Sequence, residues 1–574
     1  MDKPYRVVAG IDFGTHGTGF AWAAVSEDNA GPGRRRISFF EDWAGQNIAY
    51  PKNRSAVLTD ASGQFLAWGY DAVARIAAAP PGSGWRVRTG FKMALQAALR
   101  DLGTTAGGDA GVVISDGEPD AYRLTVMCLR QVVASARERI TSGAYEDEDI
   151  RWCVTVPAIW EQATQDLMFK AAVEAGLPDD PDRLLLAQEP AVAALYCKAK
   201  GDGPLNTPGT RFLVVDAGGG TVDVSCYQVD DDGGLIERAP AVGTPTGSDF
   251  LNVAFLEEIL TERFGAGTIG RILAERRGAV ADTMNSWERA KRSFSADSAD
   301  DVIIHLSGSF FAGLVKEQQT GRWTGTGEPA TEVVISHAQV AALFDRHIDE
   351  IMKVVERQLA EMRAATRASG GETVLLVGGF AESPYLRARL ARSLGDQDVR
   401  LVVPQSPAVA VLAGAVHYAY SEASGESEFV SWSAPFTVGI QAALPFRPGV
   451  DPESRKKENA AGEERCSGRF DVFFASRAAV AVGEPVRRIY RPMREEQSVI
   501  TLDLLSTDQA DVEYVSDPGV ETLATLTVDL SASLHLPIAE RRIEVAMYLD
   551  QTRIRVEARN PETDEPQSVN IEWQ

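Results

Sequence analysis

Two stretches of this chain carry one pattern. Val7 to Val25 reads VVAGIDFGTHGTGFAWAAV, and Phe212 to Val224 reads FLVVDAGGGTVDV. Each runs along an apolar strand to an Asp, through a Gly/Thr turn, and into a second strand. The two Asp residues, Asp12 and Asp216, stand about 200 residues apart. Such self-similarity predicts two related lobes facing one another. Both turns lead into residues rich in β-branched and aromatic types, Phe20 to Val25 and Val222 to Tyr227, so they join strand to strand. A dinucleotide fingerprint needs a glycine turn that opens a helix, and is excluded. A P-loop needs a Gly-Lys pair, which the chain lacks.

A glycine hairpin suits phosphate for a physical reason. Without Cβ atoms, successive peptide N–H groups converge on one anion and form a nest. Gly14, Thr15 and Gly17 from the first turn, with Gly218, Gly219, Gly220 and Thr221 from the second, would grip a polyphosphate from both sides. Asp12 and Asp216 would then lie beside the phosphates, where a bare carboxylate is repelled. A magnesium ion that keeps its waters removes the conflict.

Elsewhere the pattern alternates. Trp152 to Ala158 reads as a strand, Gln165 to Ala175 as a helix, and Leu184 to Leu186 as a strand before a helix from Pro190. Leu251 to Phe264 and Ala338 to Arg367 have helical apolar spacing, and Thr373 to Val377 is a strand. Ser383-Pro384 opens a helix as N-cap and first-turn proline. This alternation predicts α/β architecture. Residues 421–432, SEASGESEFVSW, read as a polar linker. Beyond them the period switches to two. Ile543, Val545, Met547 and Leu549 share one face of a strand, and Ile554, Val556 and Ala558 share one face of the next, with Asp550-Gln551 as the turn. Residues 433–574 are therefore expected to form an all-β domain of sandwich type, with Gly449 to Arg469 as a charged mobile loop.

Charge and composition narrow the function. With 57 basic against 81 acidic residues, the net charge of -24 speaks against nucleic acid and anionic membranes as partners. The short basic runs Arg34-Arg35-Arg36 and Arg455-Lys456-Lys457 read as solvated loops. The five cysteines form no C-x-x-C pair, so neither a zinc site nor a disulfide framework is expected. The N-terminus lacks a signal-peptide core, and no apolar stretch approaches the roughly 20 residues that span a bilayer. A cytoplasmic location is expected.

Further motifs follow in order: AQEPAVAALY, NSWERAKRSFS and LLVGGFAESPYL. Together with GIDFGT and VVDAGGGTVDVS they make the chain resemble the 70-kilodalton heat-shock protein family, within the actin-like ATPase superfamily. The resemblance covers roughly residues 5–420, and the tail more weakly. The GGFAESP form, the TVPAIW segment and the FKM around Lys92 are similar to the family's divergent member-12 branch. The resemblance implies a two-lobed actin-like, ribonuclease-H-like ATPase domain over residues 1–420. Its lobes would be about 1–208 plus 405–420, and about 209–404. It implies bound ATP or ADP and Mg²⁺, with Asp12 and Asp216 ordering the metal's waters. Glu189 would position the attacking water, Lys92 would stabilise the transferring phosphoryl, and Asp216 and Thr221 would complete the catalytic set. Gly14, Thr15, His16, Gly17, Gly218, Gly219, Gly220, Thr221 and Gly247 would surround the phosphates. Glu288, Lys291, Arg292 and Ser295, spaced along one helix face, would hold ribose and adenine, with Gly378, Gly379, Phe380 and Glu382 beside them.

The departures from the family are specific. Position 382 is Glu where the chaperones place an arginine that stacks on adenine. Position 16 is His where they have threonine, and position 165 is Gln where they carry an arginine used in interdomain signalling. The linker lacks their leucine-rich character, and no helical lid is expected. The leading expectation is a slow ATPase whose nucleotide state controls how the β-domain binds an unfolded or dedicated protein partner. The alternatives are a nucleotide-dependent scaffold or switch, and a small-molecule kinase.

Overall fold

The computed structural model describes residues 5–571 apart from 27–32, 34, 47, 81, 102–119, 144, 276, 425–426, 551 and 564–566. Arg34 of the first basic run, two residues of the expected linker, and Gln551 of the expected turn lie outside the described residues.

Both halves of the region before residue 420 start from the same strand arrangement. Strand Val7–Phe13 is buried at every position, which is why Val7 to Ile11 reads as an apolar run rather than an alternation. It pairs antiparallel with Gly17–Ala24 and parallel with Ile150–Val156, which pairs parallel with Leu184–Gln188. In the second sheet Arg211–Ala217 pairs antiparallel with Val222–Val229 and parallel with Thr373–Val377. Each sheet thus carries one glycine hairpin with a parallel strand beside it. Asp12 stands opposite Gly19, and Asp216 opposite Asp223.

Helices cover these sheets at close range. Helix Glu189–Lys200 carries Pro190 in its first turn and ends at Gly201, whose φ of 73° closes it in the left-handed conformation. Helix Ala410–Ser424 crosses it so tightly that a Cβ on Gly414 would meet the Val192 carbonyl oxygen at 1.9 Å. Among the described residues no helix is long and apolar enough to cross a membrane.

The tail holds two antiparallel sheets. One orders Lys456–Glu458, Glu464–Phe474, Thr437–Pro445, Val499–Thr507 and Glu521–Asp529; the other orders Val486–Tyr490, Ile543–Leu549, Ile554–Arg559 and Gln567–Ile571. The residues expected inward, Ile543, Val545, Met547, Leu549, Ile554, Val556 and Ala558, are all buried and share a cluster with Val438, Leu502, Leu504 and Val528 of the first sheet.

Two expectations need correction. Residues 449–469 are not a loop throughout: Lys456–Glu458 and the start of Glu464–Phe474 form a hairpin. The buried Asp451 organises it, bonding Arg447 at 2.8 Å, Arg469 at 3.0 Å and the Tyr514 hydroxyl at 2.7 Å. The linker is also largely ordered. Helix Ala410–Ser424 extends into it, and Phe429–Ser433 is a strand of the second sheet, parallel to Leu235–Thr244. Its apolar members explain this: Phe429 lies 5.8 Å from the Tyr227 ring and 4.2 Å from Trp432, so the strand has its own anchor.

The tail goes further and lends Ala479–Ala481 to the same sheet as its edge strand. Arg477 reaches Glu361 of helix His337–Thr366 at 2.6 Å, and Lys198 reaches Glu428 at 2.8 Å. At the centre of the seam, Glu237 accepts the Ser433 N–H at 2.9 Å. Burial pushes the Glu237 carboxyl up to about 8, only partly offset by that bond. A carboxyl raised in the folded state favours folding below its unfolded value and loses that contribution as pH rises through the folded one. Thermal unfolding should therefore show stability falling between about pH 5 and pH 8, and Glu237→Gln, which keeps the acceptor, should flatten that slope.

Candidate functional site

The two glycine turns meet tip to tip. A Cβ on Gly220 would stand 2.6 Å from Thr15 Oγ1, and one on Gly219 would stand 3.0 Å from His16 Cβ. Glycine is required here by the close approach of one lobe to the other.

Each turn is held by a backing segment. In the second, the carbonyls of Gly218, Gly219 and Gly220 accept the N–H groups of Ser248 (3.1 Å), Asp249 (2.8 Å) and Gly247 (3.1 Å). In a trans peptide the N–H points opposite to the C=O, so the N–H groups of Gly219, Gly220 and Thr221 face away from that segment. In the first, Ser55 Oγ donates to the Gly14 carbonyl at 2.5 Å, and the Ser55 N–H donates to His16 O at 3.0 Å. Gly247 does not itself line the cleft; a Cβ there would meet Gly219 O at 2.2 Å, so it lets the backing segment approach.

Between the tips lies a cleft of about 390 Å³. Of the expected residues, Asp12, Gly14, Thr15, His16, Gly17, Lys92, Glu189, Asp216, Gly218, Gly219, Gly220 and Thr221 line it. So do Glu288, Lys291, Arg292, Gly378, Gly379, Phe380 and Glu382. Ser295 does not. Its helix, Arg277–Ser293, stops two residues earlier because Phe294 turns into the core, 5.3 Å from the Phe344 ring and 4.9 Å from Tyr385. The Ser295 hydroxyl instead accepts the Asp297 N–H at 3.2 Å.

Buried charge dominates the inner end. Lys92 Nζ lies 2.5 Å from Glu189 Oε1, and Lys52 Nζ lies 2.6 Å from Asp12 Oδ2. Burial, then the neighbouring Glu189, Asp223 and Asp12, push Asp216 well above the usual carboxylate range. Burial also raises Glu189, with Lys92 opposing it, and burial with Glu189 brings Asp223 up to about 7. Asp223 Oδ1 accepts the Ile159 N–H at 2.9 Å, while its buried Oδ2 has no hydrogen-bond partner of normal geometry. Asp12, Glu189 and Asp216 line the cleft beside Lys52 and Lys92, and a cation among them would favour their ionised forms.

The outer end is tied across the lobes. His16 Nδ1 sits 3.2 Å from Asp249 Oδ1. Burial tends to raise Asp249, but His16 and then Lys291 outweigh it and hold the carboxyl down at about 2. Lys291 donates to Glu288 at 2.9 Å, to Asn252 Oδ1 at 2.9 Å and to the Ser248 carbonyl at 3.1 Å. His16, Asp249 and Glu288 place ligand-type atoms within 4.8 Å of one another, yet the Lys291 ammonium already serves Glu288.

Sequence reasoning passed over Lys52, Ser55, Asp223 and Asp249. Asp223 was findable, because a two-residue turn register sets it opposite Asp216. Lys52, Ser55 and Asp249 carry no motif; only the folded chain brings them to the turns.

Two sheets, each presenting an Asp-bearing glycine hairpin to one charged cleft, define a two-lobed α/β protein. A family profile described as a domain of unknown function (DUF8340) matches residues 206–403, from before the second hairpin to just past strand Arg400–Val402. Heat shock 70 kDa protein 12A of Homo sapiens is 27% identical over 646 aligned residues, spanning 100% of this chain and 92% of that protein. Heat shock 70 kDa protein 12B of Homo sapiens is 27% identical, spanning 99% of this chain and 91% of that protein. Chaperone protein DnaK of Thermosipho melanesiensis is 22% identical over 60% of this chain and 52% of its own length. The chain thus resembles the member-12 branch of the 70-kilodalton heat-shock family along its whole length.

Ser55 tests the packing of the first turn. Ser55→Ala removes the bond to Gly14 O and the 2.8 Å contact with the Thr18 hydroxyl. It should lower unfolding stability by about 1–3 kcal/mol in a denaturant titration.

Proposed function

We propose that this protein binds ATP with Mg²⁺ and hydrolyses it slowly, and that nucleotide state sets how the β-rich tail holds a polypeptide or a dedicated protein partner. The observation that carries the reading is the tip-to-tip approach of the two glycine turns, with Gly220 against Thr15, over buried carboxylates. In this reading residues 1–420 are an actin-like ATPase and the two tail sheets form a β-sandwich.

The chain's own residues divide the work. Peptide N–H groups of Gly219, Gly220 and Thr221 bind phosphate oxygens already oriented by the 247–249 segment. Asp12 and Asp216 would hold a magnesium ion through its waters, and the ion would neutralise charge on the phosphates. Lys92 turns from Glu189 to the terminal phosphate as nucleotide arrives, which frees Glu189 to orient the attacking water. Glu288, Lys291 and Arg292 face the ribose and base from one helix, with Gly378, Gly379, Phe380 and Glu382 opposite. Opening and closing of the lobes, rather than chemistry, sets the rate.

A second reading is supported by the seam. Strands Phe429–Ser433 and Ala479–Ala481 stitch the tail into the second sheet. Gln165 donates to the Trp160 carbonyl at 3.0 Å and lines the interdomain cavity with Trp432 and Phe436. A tail fixed in this way suits a switch that presents one surface to one partner.

Asp216→Asn and Thr221→Ala should each lower ATP turnover by about 10²-fold or more in a phosphate-release assay; unchanged rates in both would refute the site. Unfolded peptide should speed turnover if the tail grips clients. A rate that responds only to one native partner would favour the switch.

A further inference from the structure

Gly17 and Gly19 of the first hairpin let the 51–53 segment lie against them, since a Cβ would meet Asn53 O at 3.2 Å and Pro51 O at 2.2 Å, respectively. A Cβ on Gly17 would lie 3.4 Å from Lys52 Cβ, and one on Gly19 would lie 3.2 Å from Lys52 Cγ. The lysine stem therefore runs along the glycine face of the hairpin. Its backbone is fixed by the next two residues: Asn53 pairs with Thr18, and Arg54 with Gly17. Asn53 is pinned in turn, its Oδ1 accepting the Tyr70 N–H at 2.9 Å. This places the ammonium in the cleft, 2.6 Å from Asp12 Oδ2, with 16% of the side chain exposed. Lys92 is already committed to Glu189 on the other side of the site.

We propose that Lys52 is a phosphate-binding residue that keeps a resident positive charge at Asp12, so that nucleotide binding here does not depend on magnesium alone. The inference rests on the reading of the cleft as a nucleotide site. An ammonium on a flexible four-carbon stem can leave Asp12 for a phosphate oxygen without moving the backbone. With metal present, Asp12 is released to hold the metal's waters while Lys52 contacts phosphate. Without metal, Lys52 and Lys92 together offset the phosphate charge beside Asp12, Glu189 and Asp216. The geometry makes Lys52 a specificity residue for the metal-free nucleotide, a role that no turn motif carries.

Calorimetry of the full chain with ATP, in excess magnesium and in EDTA, tests this. The wild-type protein should bind ATP in EDTA within about tenfold of its affinity with magnesium. Lys52→Gln should lose about tenfold or more in EDTA, the usual scale for a contact to a charged group, and clearly less with magnesium. Lys52→Arg should retain EDTA binding, and it serves as the variant that keeps the charge if Lys52→Gln fails to fold. Wild-type binding that needs magnesium outright would overturn the role of Lys52 while leaving the nucleotide site standing. An equal EDTA response in Lys52→Gln and wild type would overturn it as well. No ATP binding in either condition would sink both this inference and the site.

Discussion

The tips of the two hairpins bring four carboxylates into one buried space, and the rest of the site answers that charge. Asp12 and Glu189 come from the first lobe, Asp216 and Asp223 from the second. The first lobe's Glu189 raises both Asp216 and Asp223, so the two sets of acids repel where the lobes meet. Lys52 and Lys92 both come from the first lobe and each takes one acid of that lobe. In the second lobe Asp223 accepts the Ile159 N–H at 2.9 Å, which leaves Asp216 for an arriving cation. Buried charge without a partner is costly, so ligand and lobe closure are linked through the same atoms. The outer contacts resist this repulsion: His16 to Asp249 spans the lobes, and Asn252 passes the connection to Glu288 at 2.7 Å.

The tail is joined to this apparatus through backbone rather than through side chains alone. A strand from the connector and a strand from the tail extend the sheet that carries the second hairpin. Ladder bonds at a sheet edge are directional, so they orient the joining strands against the second lobe. On the first-lobe side, contact runs through Trp160, whose ring lies 5.5 Å from Lys92 Nζ and which also lines the interdomain cavity. One aromatic side chain therefore touches both the charged cleft and the seam.

Legibility followed the range of the forces involved. Both hairpins, the capping of helix Pro384–Gly395 by Ser383 and the buried faces of strands Ile543–Leu549 and Ile554–Arg559 were readable, because turn chemistry and period-two alternation act over a few residues. The linker reading failed for an equally physical reason. Small and acidic residues before Phe429 masked a five-residue strand whose stability comes from Tyr227, about 200 residues away in sequence. Ser295 failed because periodicity extended a helix that the burial of Phe294 ends.

By itself the sequence determined the two Asp-glycine hairpins, the α/β order before residue 420 and the alternating strands after it, since each depends on local backbone preference and on which residues prefer water. Tertiary structure decided the pairing of Lys52 with Asp12, the pinning of the turns by Ser55 and by residues 247–249, and the stitching of the tail into the second sheet. Those depend on where distant segments come to lie, and charge pairing and edge-strand addition leave no period or motif along the chain.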